Sequence, residues 1–501
     1  MDSNLRQFAL GESLVASPHS VVGCLPTMKD VRAYEEKETR VWSALEGGYP
    51  RFVEHAWVLE LKAFYIERLV LDVSIAALVR GEQAAETLKD LLAEDIGIKE
   101  VEPDLFLVWQ VSPSVGDTLT NYIQHTGCGI SSREAEDLLV HHRLKDSVFE
   151  EAYFEGDAEK AVCGELARLT GAGLRDIGCC ASGMNAFYSA FRAIQAVQRN
   201  RGRGRWLQLG WLYVDSGCIL EKYLGEDETL EICHAVEDTD VVLAAIANCG
   251  EALAAVVVEC PSNPLIKSSD LAAIAAAVRS QGGMLLVDPT IASVYAVDIL
   301  KHADVLATSL TKYAGHEADL MIGALVLNGA STQAEALRPE LENWRLKPYA
   351  RDLARLAESM QEAPEKVAIM QANAKRLLKF LDGHPAIERV HASPSAAYDA
   401  IAKKVGSVVP LLSIVLKGCM ERFYDAVPVM KGPSFGADRT ILCPFMYLAH
   451  YDRVSCEAGR NELRAAGIEP DLIRIAIGTE PYAELEAAFA QALEVSTKEV
   501  K

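Results

Sequence analysis

The chain has 501 residues, half of them hydrophobic, which is too long for one compact core and argues for two or three packed units. Its 49 basic and 71 acidic side chains leave a net charge of −22, a field that repels phosphate backbones and anionic lipid surfaces and so argues against nucleic acid or a membrane as partner. A basic N-terminal stretch followed by an apolar run is absent, as is any apolar run of bilayer length, so a soluble cytoplasmic protein is expected.

Residues 1–150 open on a Pro-punctuated stretch, SPHSVVGCLPT. Apolar spacings of three and four then predict helices over HAWVLELKAFYIERLV and EQAAETLKDLLAED, and LFLVWQV after Pro103 reads as a strand. In GISSREAEDLL, Ser131 and Glu134 have the spacing of a capping box. From 151 to 335 the texture changes to short apolar runs alternating with helical segments, the pattern of a mainly parallel sheet covered by helices. The runs are AAVVVE (254–259), MLLVD (284–288), DVLATSL (304–310) and GALVLN (323–328), and the helix SSDLAAIAAAVRSQGG between the first two makes a βαβ unit. Residues 336–501 mix long helices such as EKVAIMQANAKRLLKFL with the strands VVPLLSIVL and LIRIAIG, and close on the amphipathic AELEAAFAQALEV, as a smaller α+β domain does.

Twelve cysteines without a CxxC spacing read as reduced, mostly buried apolar residues. The eleven histidines include no HExxH, so no metal is expected. In open parallel sheets ligands collect outside the carboxyl ends of the strands. Three loaded segments emerge there: Glu259 with Asn263 in VVVECPSNP, Asp288 before Pro289 and Thr290, and Thr311, Lys312 and Tyr313 after DVLATSL, with Ser309 two residues before Thr311. A carboxylate and a lysine at the ends of successive strands are what a pyridoxal cofactor requires. Asp288 would hold the ring nitrogen protonated, and Lys312 would carry the Schiff base and move protons. Ser309 and Thr311 are candidate phosphate donors. A helix N-terminus for the phosphate is offered by IGCCASGMNAFYSAFRAI, where the apolar run breaks at Ser182 and Gly183 and a helix starts near Met184. Tyr213 in GWLYVDS can lay an aromatic ring over a flat cofactor.

Together these segments resemble the Cys/Met-metabolism family of pyridoxal-phosphate enzymes, which includes cystathionine γ-synthase, its lyases and the acylhomoserine sulfhydrylases. SLTKY with Asp319 and Gly323 is similar to the cofactor-lysine motif, VVVECPSNP to a family strand motif and VDPT to the ring-nitrogen motif. The resemblance implies an α/β fold of the PLP-dependent transferase type (fold type I, aspartate-aminotransferase-like), with a smaller C-terminal α+β domain. It implies pyridoxal 5'-phosphate as cofactor and a homodimer or homotetramer. It also assigns Lys312, Asp288 and Tyr213 to catalysis, Ser182, Gly183, Met184, Ser309 and Thr311 to the cofactor, and Asn263, Ser434 (in SFGADRTILCP) and Arg474 (in LIRIAIGTE) to the substrate. Arginine suits an α-carboxylate because its planar fork binds bidentately. Tyr49 and Arg51 in GGYPRF match a Tyr-x-Arg element that reaches the phosphate of a neighbouring subunit, with Arg133 as the rival. Pro289 stands where the family carries Asn, and Gly315–His316 sit one position early.

The N-terminal region, in SPHSVVGCLPT, GGYPRF and GISSREAE, is similar to the extended, fungal-type cystathionine γ-synthases. That resemblance implies γ-replacement on an O-acylhomoserine by cysteine to give cystathionine, within transsulfuration and methionine biosynthesis. The core motifs fit a sulfhydrylase or a cystathionine or methionine lyase equally, and a scaffold that has lost turnover is the non-enzyme alternative. A nicotinamide dehydrogenase would need a dinucleotide loop. GCGISS offers Gly127 and Gly129, but holds Ser132 in the third glycine position, with no clear strand before it.

Overall fold

The computed structural model describes residues 5–48, 52–92, 95–111 and 116–498. Three sheets organise them. The largest contains β4 (Ile177–Cys180), β5 (Arg205–Leu209), β6 (Thr229–Cys233), β7 (Leu253–Glu259), β8 (Met284–Asp288), β9 (Val305–Ser309) and β10 (Gly323–Leu327), in the order β4-β10-β9-β8-β7-β5-β6. Only β10 runs against the others. The expected α/β fold with a mainly parallel sheet is therefore present.

Burial on both faces explains why β7 reads as an unbroken apolar run: all seven of its residues are buried. Along it and β8, alternate side chains enter two different cores. Val256, Val258, Leu285 and Val287 face one, and Ala255, Val257, Met284 and Leu286 the other. The alanine-rich helix Leu271–Ser280 connects the two strands. It is capped by Asp270, whose carboxylate accepts from the Ala273 N–H at 3.0 Å.

The C-terminal sheet comprises β11 (Ile387–His391), β12 (Leu411–Leu416), β13 (Met430–Lys431), β14 (Ile441–Cys443) and β15 (Ile473–Ala476), in the order β11-β12-β15-β14-β13. The long helices Ala363–Leu381 and Tyr482–Thr497 share its core through Ala374, Leu377, Leu485 and Phe489.

Before the large domain lies a unit whose sheet the sequence announces at one strand only. Here β3 (Leu105–Gln110) is central, flanked by β1 (Ala76–Arg80) and β2 (Ile96–Glu102), all antiparallel. Helix Glu82–Leu92 crosses from β1 to β2, and helix Gly116–Thr126 follows β3. The chain then returns along β1 through a single bridge, Val79 to Gly129, with the Arg80 N–H donating to the Cys128 carbonyl at 2.7 Å. This is a split βαβ arrangement with its last strand reduced to one bridge. Leu78, Leu105 and Leu107 pack on one face, Val79 and Val108 on the other. Ser131 caps the next helix, Ser132–His141, by accepting from the Glu134 N–H at 3.1 Å, as the capping-box spacing predicts.

Residues 5–48 pack elsewhere. Phe8, Leu14, Val21 and Val22 join the large domain's core, and Leu25, Met28, Val31 and Val41 that of the C-terminal sheet. All twelve cysteines are free thiols, and Cys456 is the exposed one. Among the described residues no helix is long and apolar enough to cross a membrane, and no group of three or more His, Cys, Asp or Glu side chains could hold a metal ion.

Candidate active site

The carboxyl ends of β7, β8 and β9 open into a cavity of about 180 Å³. Its wall brings together Glu259, Asn263, Asp288, Thr290, Ser309 and Lys312 from these strand ends, Gly183 and Met184 from the helix after β4, Tyr213 from the turn after β5, and Arg474 from β15. The parallel sheet aligns the ends of β7, β8 and β9, and β15 of the C-terminal sheet brings Arg474 to the same cavity from about 290 positions beyond Gly183.

Lys312 is buried, and its Nζ donates to Ser434 Oγ at 3.2 Å and lies 5.0 Å from the centroid of the Phe435 ring. Asp288 ends β8 paired in register with Glu259. Burial pushes the Asp288 carboxyl up to about 6, against two opposing hydrogen bonds, from the hydroxyl and the N–H of Thr290 to its Oδ1. Thr290 also accepts the Ser309 N–H at 2.9 Å, so it ties the end of β8 to that of β9. Burial and the neighbouring Asp288 hold Glu259 well above the usual carboxylate range. Its Oε1 accepts the Tyr213 N–H, anchoring the aromatic turn, while Oε2 has no partner.

Ser182 caps the helix Gly183–Arg199 by accepting from the Asn185 N–H at 3.0 Å. Helix geometry leaves the N–H groups of Gly183 and Met184 without intrahelical acceptors, at the cavity wall. A Cβ on Gly183 would stand 2.8 Å from Ser309 Cβ, so only glycine lets helix and strand end approach this closely. The Ser309 hydroxyl is buried with no hydrogen-bond partner. Arg474 of β15 is buried, donating to Asn263 Oδ1 (3.1 Å) and to the carbonyls of Pro433 (3.0 Å) and Ser434 (3.1 Å). Its Nε has no acceptor, and burial lowers its pKa from the ordinary guanidinium value. The unanswered polar groups thus include donors for anions, the Ser309 hydroxyl and Arg474 Nε, in a cavity that the Asp288 carboxyl also lines. That set fits a flat cofactor with a phosphate, a basic ring nitrogen and an amine-bound substrate bearing a carboxylate.

Thr311 is not brought into this wall. Its hydroxyl donates to the Ile322 carbonyl and accepts the Ile322 N–H, closing the loop behind Lys312. Arg133 is fully buried and taken up by Glu151, Asp352, and the carbonyl and carboxylate of Asp319. Tyr49 and Arg51 lie outside the described residues. Thr290, Phe52, Gln124 and Asp215 are among the wall residues without an assignment from sequence. An Asp-x-Thr turn is a local signal for Thr290. The Gln124–Asp215 hydrogen bond (2.9 Å) spans 91 positions and has no local signature.

A family model described as Cys/Met metabolism PLP-dependent enzyme matches residues 157–494. The L-2-amino-4-chloropent-4-enoate dechlorinase/desaturase of Streptantibioticus cattleyicolor is 34% identical over 491 residues, 95% of this chain and 97% of that one. The cystathionine gamma-synthase of Neurospora crassa is 28% identical over 333 residues, 65% of this chain and 52% of that one. Among solved structures, the cystathionine gamma synthase of Xanthomonas oryzae pv. oryzae in complex with aminoacrylate and cysteine shares the fold. Its TM-score is 0.57 at 22% identity, covering 68% of this chain and 86% of that chain. The strand-end lysine and carboxylate, the family match over the large and C-terminal domains, and the near full-length likeness agree: the chain belongs to the Cys/Met metabolism PLP-dependent enzymes.

Proposed function

We propose that the chain breaks the bond between Cγ and a leaving group on a small α-amino acid, and that the reaction ends in elimination. The observation that carries this is the cavity wall. Phe52, Phe187, Phe435, Phe445 and Leu448 surround the site, and Lys312 and Arg474 are the cations among its described lining residues. Both have a task within one amino-acid substrate, so among the described lining residues none is left to neutralise a second amino acid's carboxylate, whose burial unpaired is costly. The names of the similar proteins point the same way: a chlorine on carbon 4 and a γ-synthase both place the chemistry at Cγ.

Pyridoxal phosphate, when bound, supplies an electron sink conjugated with the substrate's Cα. Gly183 and Met184, through their N–H groups, and the Ser309 hydroxyl would hold its phosphate, with Ser182 keeping the helix end capped. Tyr49 and Arg51 are proposed as further phosphate contacts. Asp288 would keep the ring nitrogen protonated, and Tyr213 would stack on the ring. Arg474, oriented by Asn263, would bind the α-carboxylate. Lys312 would take the proton from Cα and shuttle protons at Cβ, with Ser434 steering its Nζ. The apolar wall would exclude water from these steps. A homodimer or homotetramer belongs to the same proposal.

A second reading is γ-replacement on an O-acylhomoserine by cysteine, giving cystathionine for methionine biosynthesis. The likeness of the N-terminal stretch to the extended fungal synthases favours it. The deciding experiment gives the cofactor-loaded protein three mixtures: a γ-chloro α-amino acid alone, an O-acylhomoserine with cysteine, and an O-acylhomoserine with sulfide. Chloride release without a thiol supports elimination. Cystathionine formed faster than any elimination product would overturn it in favour of the synthase, and homocysteine alone would indicate a sulfhydrylase.

A further inference from the structure

We propose that the N-terminal split-βαβ unit is a clamp that retains the cofactor within its own chain, closing on the phosphate turn through Gly127 and on the aromatic turn through Gln124. The inference rests on the phosphate-turn reading given above. It also gives a role to the GCGI segment, which lacks the third glycine of a dinucleotide loop.

Helix Gly116–Thr126 ends against the helix that begins at Gly183. Gly127 has φ of +64°, and a Cβ there would stand 2.2 Å from Ser182 Oγ and 2.9 Å from the Asn185 nitrogen. Ser182 Oγ is the atom that caps the phosphate helix, so any side chain at 127 displaces the cap. Asn185, itself buried, fastens the contact. Its Nδ2 donates to the Thr126 carbonyl at 3.3 Å, and its Oδ1 accepts the Leu346 N–H at 2.9 Å. Anion binding at a helix end depends on several N–H groups converging on one point, so a shift of the first turn weakens all of them together.

One turn earlier on the same helix, Gln124 Nε2 donates to Asp215 Oδ1 at 2.9 Å. Asp215 is 1% exposed and sits two residues after Tyr213, whose N–H is held by Glu259. Gln124 and Asp215 both line the cavity. The aromatic turn is thus gripped from two sides, by a strand end of the large domain and by the N-terminal unit. A third contact lies behind Lys312: Arg133 reaches the Asp319 carbonyl at 2.8 Å and its carboxylate at 3.2 Å. One unit therefore touches the phosphate turn, the aromatic turn and the loop after the lysine. Gln124 and Gly127 act as positioning residues.

The test measures dissociation constants of the full-length apoprotein for pyridoxal phosphate and for pyridoxal, which lacks the phosphate, by absorbance and fluorescence. Gly127→Ala is expected to weaken pyridoxal phosphate by about tenfold, the scale of a lost helix cap, and to leave pyridoxal within about twofold. Asn185→Ala, which keeps the glycine, should move the same way by about threefold and decides the matter if Gly127→Ala does not fold. Gln124→Glu sets two carboxylates together and should weaken both ligands, since the aromatic turn serves the ring they share. Adding Asp215→Asn, which swaps donor and acceptor, should restore them. Unchanged pyridoxal phosphate binding in Gly127→Ala, or in Asn185→Ala, overturns the proposal, as does an equal loss for both ligands. Ser309→Ala separates the two readings. If it discriminates between the ligands and Gly127→Ala does not, the clamp is wrong and the phosphate turn stands. If Ser309→Ala does not discriminate, the phosphate turn itself is wrong.

Discussion

Replacing Asp288 with asparagine tests how burial tunes the carboxyl at the end of β8. Without the cofactor this carboxyl is lifted from 3.8 to about 6, because burial disfavours its charged form more than the two Thr290 hydrogen bonds favour it. A raised folded-state value means that the neutral acid suits the fold. Its contribution to stability is complete below 3.8 and is lost as pH rises through about 6. The difference corresponds to about 3 kcal/mol. Asparagine stays neutral throughout, so Asp288→Asn loses nothing over that window. Urea denaturation of the two apoproteins, followed across this range, should show matching stability at the acid end. The variant should gain about 3 kcal/mol over the parent above about pH 7. Cofactor should shrink or reverse the gap, since a protonated ring nitrogen gives the carboxylate its opposite charge. A difference between the two proteins that does not vary with pH would refute the argument that burial sets this group.

Arg474→Lys keeps a positive charge but loses the planar fork, and should raise KM for the amino-acid substrate about 30-fold, some 2 kcal/mol, with a smaller change in kcat, in steady-state kinetics. An unchanged KM would remove Arg474 from the carboxylate. Arg133→Met leaves the carboxylates of Glu151, Asp319 and Asp352 buried around an apolar side chain, and a loss of about 3–5 kcal/mol is expected by chemical denaturation. Ser131→Ala removes one cap from the helix Ser132–His141 and should cost about 1 kcal/mol in the same assay, which sets the scale for a local defect in that unit.

Much of this protein is legible in runs of consecutive residues. The buried runs of β7 and β8 betray a covered parallel sheet, since a strand enclosed on both faces has no polar alternation. The apolar runs of β8 and β9 lead into Asp288 and Lys312, and in such sheets ligands collect beyond the carboxyl ends. Ser131 and Glu134 announce a helix start, and the glycine-serine break before Met184 marks the start of the helix Gly183–Arg199 to within one residue. The remaining features depend on long-range packing. The strands β1 and β2 are short and carry mixed polarity, so their place beside β3 depends on pairing and not on pattern. Arg133 matches a phosphate-binding arginine in isolation, yet folding surrounds it with three carboxylates from positions 18 to 219 residues away, and those charges claim it. Thr311 sits beside the lysine in sequence and turns its hydroxyl to the backbone of Ile322. Gln124 and Asp215 carry no motif at all. Their bond exists because one helix of the N-terminal unit packs beside the cavity and against the helix after Tyr213, and side-chain partners chosen by packing leave no period or spacing in the chain.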